Sequence, residues 1–209
     1  MKLYVACLAS YNNGVLHGKW IDASSYVEDM QEQINQVLMS SKFPNVTVSC
    51  PDCEGDPGVY RTVLGKTCSK CDGKGEVPSA EEWAVHDYEF GSNIASLLGE
   101  YPSLQVIADL VELIEEYDSW GYALEIVDGL AAHQGGVKVD DLRDALEDSF
   151  VGVFGSFAAY ADEQADEFLQ AHEVPDPVAT YFDYDAWRQT LEMEMTQIDV
   201  PGGVAVFHS

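Results

Sequence analysis

A chain of 209 residues with 46% hydrophobic and 11% aromatic residues is long enough to bury a core and too apolar for a disordered acidic tail. Its 37 acidic residues outnumber its 10 basic residues and give a formal net charge of -27. Such a charge argues against binding to nucleic acid or to anionic membranes, and it favours partners with basic surfaces.

The first part of the chain predicts a small sheet with one helix. Strands are expected at 2–9 and 15–21, joined by a tight turn at Asn13-Gly14, a dipeptide typical of hairpins. The helix that follows is predicted from an apolar stripe at helical spacing: Val27, Met30, Ile34, Val37 and Leu38. A further strand is expected at 82–88.

The rest of the chain predicts mainly helices and ends in a hairpin. The helices are expected at about 103–114, 122–133, 139–149, 156–172 and 184–195. A short strand is expected at 150–154, and strands at 196–200 and 204–208 form the closing hairpin. The pattern predicts an α+β fold with a small antiparallel sheet at each end and a helical middle.

Four of the five cysteines form two C-x-x-C pairs. No stretch of the sequence approaches the roughly 20 apolar residues of a membrane helix, and we expect the protein to be cytoplasmic. In a reducing compartment such pairs indicate a metal more often than disulfides. Cys50 and Cys53 form one pair, and Cys68 and Cys71 form the other. Together they predict a closed tetrahedral site for one structural Zn2+ per chain, in a zinc-ribbon-like module. A redox dithiol is the alternative, but it does not explain four regularly placed cysteines.

The chain carries no pattern typical of an enzyme. Its five histidines lack ligand spacing, and the sequence contains no G-x-S-x-G, no phosphate-binding glycine loop and no EF-hand loop. Cys7 stands alone in an apolar strand and is expected to lie in the core. A catalytic zinc would keep one position open to water, and nothing in the sequence suggests one. We therefore predict no catalytic site.

The acidic residues are concentrated towards the end of the chain. Residues 1–74 contain 8 acidic and 7 basic residues, whereas residues 75–209 contain 29 acidic residues against Lys138, Arg143 and Arg188. Many of these acids recur at i, i+4 spacing, which costs a helix about 0.2–0.5 kcal/mol per like-charged pair. A solvated helix face explains any one pair, but several such stripes without compensating bases indicate a negatively charged binding surface. Its candidate members are Glu112, Glu115, Glu116, Asp118, Asp140, Asp141, Asp144, Glu147, Asp148, Asp162, Glu163, Asp166, Glu167, Asp183 and Asp185.

This excess of negative charge is comparable to that of duplex DNA. Residues 75–209 carry a net charge of -26. Duplex DNA presents about one charge per 1.7 Å of its axis, so this charge corresponds to about 45 Å of duplex. A protein with such a field is able to occupy a DNA-binding groove.

Three long segments of the sequence stand out: residues 4–23 (YVACLASYNNGVLHGKWIDA), 81–89 (EEWAVHDYE) and 181–191 (YFDYDAWRQTL). Together and in this order they resemble the ArdA antirestriction proteins of plasmids, conjugative transposons and phages. The resemblance implies an elongated homodimer that mimics bent B-form DNA and blocks the DNA-binding core of type I restriction–modification enzymes in the bacterial cytoplasm.

The resemblance also implies a division into three domains. These are an N-terminal α+β domain at 1–90, a helical middle domain at 91–135 and a C-terminal α+β domain at 136–209. The four-cysteine segment at 45–78 departs from the family pattern and interrupts the first domain as an insert.

Two other functions compete with the DNA mimic. One is a zinc-ribbon adaptor that recruits a protein partner and whose acidity serves solubility, and the other is a metal-dependent enzyme. The dependence of binding affinity on salt concentration distinguishes the mimic from the adaptor. A mimic loses affinity steeply as salt rises, whereas an adaptor that binds through an apolar patch does not.

Overall fold

The computed structural model describes all 209 residues and divides them into two compact units. Unit 1 contains Met1–Phe90 and Leu98–Val111, and unit 2 contains Gly91–Leu97 and Glu112–Ser209. Small antiparallel sheets near both ends of the chain, together with ten helices, confirm the predicted α+β fold. The division into three domains remains a prediction. Every helix is too short or too polar to cross a lipid bilayer.

The predicted helices and strands are present to within a few residues. The strands are β1 (Lys2–Cys7), β2 (Gly18–Asp22), β3 (Val46–Ser49), β4 (Glu76–Ser79), β5 (Trp83–Glu89), β6 (Phe150–Phe154), β7 (Met195–Val200) and β8 (Gly203–His208). The helices are α1 (Leu8–Asn12), α2 (Val27–Met39), α3 (Pro57–Leu64), α4 (Ser92–Leu98), α5 (Leu104–Glu116), α6 (Ala123–Gln134), α7 (Val139–Asp144), α8 (Phe157–Ala171), α9 (Asp176–Ala179) and α10 (Tyr184–Glu194). A 3-10 turn at Asp118–Trp120 precedes α6, and a π-helical turn at Ala145–Ser149 extends α7.

In unit 1, α2 packs against the three-stranded sheet β2-β1-β5. Leu3 and Val5 of the central strand β1 are fully buried in one core with Met30 and Ile34 of α2. This burial confirms the predicted apolar stripe of α2, whose first residue, Val27, lies at the edge of the same core. The period of 3.6 residues is what places the stripe on one side of the helix.

The connection between β1 and β2 differs from the predicted tight turn. The two strands pair antiparallel, but β1 ends at Cys7 and the chain continues as α1 before it reaches Gly14. Gly14 has a φ of +74°, so the glycine does supply the left-handed turn residue. The buried Ser10 hydroxyl lies 3.0 Å from the hydroxyl of Ser41, and this long-range contact holds the connection in its longer, helical form.

Unit 2 ends in the three-stranded sheet β6-β8-β7. Helix α8 begins as predicted, because the Ser156 hydroxyl accepts a hydrogen bond of 3.1 Å from the backbone N–H three residues later. Its buried Tyr160 shares a core with Val206 of β8. Helix α6 lies so close to β7 that a Cβ on Gly129 would come within 2.2 Å of Ile198, so only glycine fits there.

Candidate metal centre and acidic surface

The four predicted cysteines lie together in unit 1 and are all buried. The sulfur atoms of Cys50 and Cys68 are 3.8 Å apart, and those of Cys53 and Cys71 are 3.7 Å apart. All four sulfur atoms lie within 4.8 Å of one another. A tetrahedron with metal–sulfur bonds of about 2.3 Å has edges of about 3.8 Å, so the cluster has the size of a four-thiolate metal site.

The two C-x-x-C pairs fold into matching turns. After the second cysteine of each pair come two residues with positive φ, Glu54 and Gly55 in the first turn and Asp72 and Gly73 in the second. Strands β3 and β4 pair antiparallel and bring the two turns together. A Cβ on Gly75 would lie 2.7 Å from the carbonyl oxygen of Gly55, so glycine is required where the turns meet.

The thiols differ in acidity because they share one small volume. Burial and the neighbouring thiols raise the pKa of Cys53 to about 12. Burial acts in the same direction on Cys71, but the N–H of Gly75, 3.3 Å from its sulfur, and the neighbouring thiols lower the pKa of Cys71 to about 7. Four thiolates this close repel one another unless a cation lies between them, and a bound divalent metal deprotonates such thiols outright. The donor set therefore fits a metal ion.

Helix α3 spans the segment between the two cysteine pairs and was not predicted. It is capped by Asp56, whose carboxylate accepts hydrogen bonds of 2.9 and 3.0 Å from the N–H groups of Gly58 and Val59. Tyr60 on this helix packs against the cysteine cluster. The sequence does contain a signal for the helix, since Asp56-Pro57 is a capping residue followed by proline at the first helical position.

The fifteen candidate carboxylates all belong to unit 2. Fourteen are exposed, and Asp162 is half-buried. The π-helical turn at Ala145–Ser149 shifts the helical register, so Asp148 does not continue the straight α-helical row of Asp140 and Asp144. This one row is therefore interrupted after Asp144, whereas the acids of α8 keep their regular helical spacing.

Every lysine and arginine of unit 2 forms an ion pair with one of these acids. Lys138 contacts Asp141 at 2.5 Å, and Arg143 contacts Glu116. Arg188 contacts Asp162 at 2.7 Å and Asp185 at 3.0 Å. The hydrogen bond from each cation to its first partner, Asp141, Glu116 or Asp162, raises the pKa of Lys138, Arg143 and Arg188. Unit 2 has no lysine or arginine left over for an outside anion.

Three further candidates form hydrogen bonds within unit 2. Asp166 accepts a bond of 2.6 Å from the Tyr184 hydroxyl, which raises the pKa of that tyrosine. Asp183 caps α10, and Glu167 accepts a bond of 3.1 Å from Gln164. The remaining eight, defined here as the free carboxylates, have neither an ion pair nor a side-chain hydrogen bond: Glu112, Glu115, Asp118, Asp140, Asp144, Glu147, Asp148 and Glu163.

A family model described as antirestriction protein (ArdA) matches residues 3–206. The chain belongs to the ArdA family. A comparison with curated proteins gave no match. The ArdA match spans nearly the whole chain, on both sides of the four-cysteine segment, which is consistent with an insert in an ArdA protein. Membership implies an antirestriction function.

One acid of this ArdA chain has a structural role that the sequence did not reveal. Asp128 of α6 accepts hydrogen bonds of 3.0 and 2.8 Å from the backbone N–H groups of Asn93 and Ile94, and one of 2.8 Å from the Asn93 side chain. It therefore caps the first turn of α4 from a position 34 residues away. No local pattern signals a contact of that length.

Proposed function

We propose that this protein inhibits type I restriction–modification enzymes by presenting unit 2 as a mimic of duplex DNA, and that it performs no catalysis. The observation that carries the proposal is the charge of unit 2, which holds 22 acidic residues against three basic ones. All three basic residues are already paired, and eight of the candidate acids are free. Family membership supports the same conclusion.

The physical basis is the replacement of phosphates by carboxylates. Unit 2 has a formal net charge of -19. At about one charge per 1.7 Å, this equals the charge of about 32 Å of duplex DNA. DNA-binding sites hold the backbone through many lysine and arginine contacts, each of which a carboxylate can accept. Inhibition then arises from many weak contacts and decreases steeply as salt rises.

We further propose that the cysteine cluster binds one Zn2+ per chain. Four thiolates in a tetrahedron suit zinc, and they leave no open position for a substrate or a reactive water. The ion would hold the insert together rather than act chemically. The ArdA resemblance also supports a homodimer that meets its target in the bacterial cytoplasm, and light scattering at micromolar concentration tests the dimer.

Competition against labelled duplex for a purified type I methyltransferase core tests the mimic. One variant replaces Glu112, Asp140, Asp144 and Asp148 by their amides, and a matched control neutralises Glu28, Glu32, Glu54 and Asp72, which are exposed acids of unit 1. We expect the first variant to compete more weakly and to lower the slope of log affinity against log salt by up to about 4. The control should compete nearly as well as the parent and keep nearly the same dependence of affinity on salt.

Two outcomes would contradict the proposal. If both variants compete as well as the parent, the acidic surface is not the inhibitory surface. If the parent binds its target with an affinity that salt does not change, the adaptor function is favoured instead.

A further inference from the structure

The insert forms a groove against the exposed side of α2, with a volume of about 1060 Å3. One wall is α2, which contributes polar residues together with Val27, Leu38 and Met39, and the other is β3 with the cysteine turns. All four residues of β3 line the groove, whereas β4 contributes only its last residue, Ser79. The groove therefore follows the edge of β3 that does not pair with β4.

This edge of β3 carries free backbone groups. The sheet has only two strands, β3 and β4. The N–H of Cys50 donates a hydrogen bond of 2.8 Å to the carbonyl oxygen of Gly75, which continues the register of the two strands by one residue pair. Because the backbone N–H and C=O groups alternate in direction along a strand, those of Val48 point towards β4 and those of Thr47 and Ser49 point away from it. Thr47 and Ser49 are exposed and form no backbone hydrogen bond to any other element.

The two edges of this small sheet are not equivalent. Pro78 stands opposite Thr47 in the register, so it removes an N–H from the outward edge of β4 and costs no bond between the strands. Proline is a common means of protecting an edge strand from pairing. The edge of β3 has no proline, and its open side faces the groove rather than a covering helix.

The groove is also negatively charged. Glu28 and Glu32 of α2, Asp52 of the first cysteine turn and Glu81 line it. The one basic residue in its lining, Lys70, forms an ion pair of 3.3 Å with Asp52. A segment that enters this groove with positive side chains gains from the charges on both walls.

We propose that the groove binds an extended, basic polypeptide segment of a partner protein, which adds to β3 as a further strand. Backbone pairing with Thr47 and Ser49 supplies affinity, and lysine or arginine at alternate positions meets the acids of α2. This function belongs to the insert and does not depend on DNA mimicry by unit 2.

An eight-residue peptide that alternates lysine with valine is a suitable probe for the full-length, metal-loaded protein. Because unit 2 also attracts a basic peptide, binding alone does not identify the site. Hydrogen exchange does, since a strand paired with β3 protects the amides of Thr47 and Ser49. We expect both amides to exchange at least about tenfold more slowly at saturating peptide. Binding that leaves both exchange rates unchanged would overturn the proposal.

Two variants test the mechanism separately. Thr47→Pro removes an outward N–H, as Pro78 does on the other strand, and should weaken peptide binding about fivefold. The double variant Glu28→Gln with Glu32→Gln should also bind the peptide more weakly than the parent, and this difference should grow as salt is lowered. The control variant Glu54→Gln with Asp72→Asn changes two exposed acids outside the groove lining and should not show this loss. Unchanged metal content verifies that the module is folded in each variant. Affinity for the groove is measured in each protein as the peptide concentration that half-protects the Ser49 amide from exchange. Equal values for the parent, the proline variant and the groove-acid variant would refute strand addition.

Discussion

The cysteine insert and unit 2 organise their polar groups in opposite ways. In the insert, four buried sulfur atoms lie within 4.8 Å of one another, and the chain folds in two tight turns around that one point. In unit 2, fifteen candidate carboxylates spread over four helices and their connections, and all but one are exposed. The insert depends on each member of its cluster, whereas the acidic surface has many members of similar kind.

This difference follows from the strength of the individual interactions. A structural zinc site contributes about 10–16 kcal/mol in isolated zinc-finger peptides, and this free energy is shared among only four ligands. An exposed charge pair is worth about 0–1 kcal/mol. A surface built from such pairs tolerates the loss of any one of them. Substitutions should therefore have large effects in the insert and small effects in unit 2.

The largest expected effect is that of Cys68→Ser. We expect this variant to lose its metal and to unfold residues 45–78, while unit 2 keeps its helices, because the cluster is the only core of the insert. Elemental analysis should give about one zinc per chain for the parent and close to none for the variant. Hydrogen exchange should increase mainly within 45–78.

Cys7→Ser is the matched control for this experiment. Cys7 is buried in the β1 core with its sulfur 3.4 Å from the Ser41 hydroxyl, and it takes no part in the cluster. The control should retain its metal. A parent protein without metal, or a Cys68→Ser variant that still binds one zinc, would contradict a four-thiolate site.

The predictions that the structure confirmed come from local patterns. The stripe from Met30 to Leu38 specifies α2 because the helical period alone decides which residues face the core. Ser156 specifies the start of α8 because a cap acts over three residues. The two C-x-x-C pairs indicate the cluster because each spacing already fixes two ligands in one turn.

The features that the sequence did not reveal depend on contacts between distant residues. The Asn13-Gly14 signal predicted a tight turn, but the contact of Ser10 with Ser41 favours a longer connection. Asp128 looks like any other acid until α6 is seen to lie beside the first turn of α4. The groove between α2 and β3 likewise exists only once the insert has folded.

A smaller effect is expected for Asp128, the structural acid of unit 2. Asp128→Ala removes the acceptor of three hydrogen bonds at the start of α4 and should lower the free energy of unfolding by about 1–2 kcal/mol. Asp128→Asn keeps one oxygen for the two backbone N–H groups and should retain most of the stability. Chemical denaturation of both variants measures the difference. Equal stability of the alanine variant and the parent would show that the cap contributes nothing.

The smallest effect is expected for a single free carboxylate such as Asp144, which has no partner within the chain. Asp144→Asn relieves its repulsion with Asp140 one helical turn earlier, so the free energy of unfolding should stay unchanged or rise by about 0.2–0.5 kcal/mol. The loss of one charge among the net 19 of unit 2 should change competition with duplex DNA less than about twofold. Denaturation and competition on the same preparation give both values. If Asp144→Asn alone abolished competition while stability was retained, unit 2 would have to act through a focused site, and its contrast with the insert would be lost.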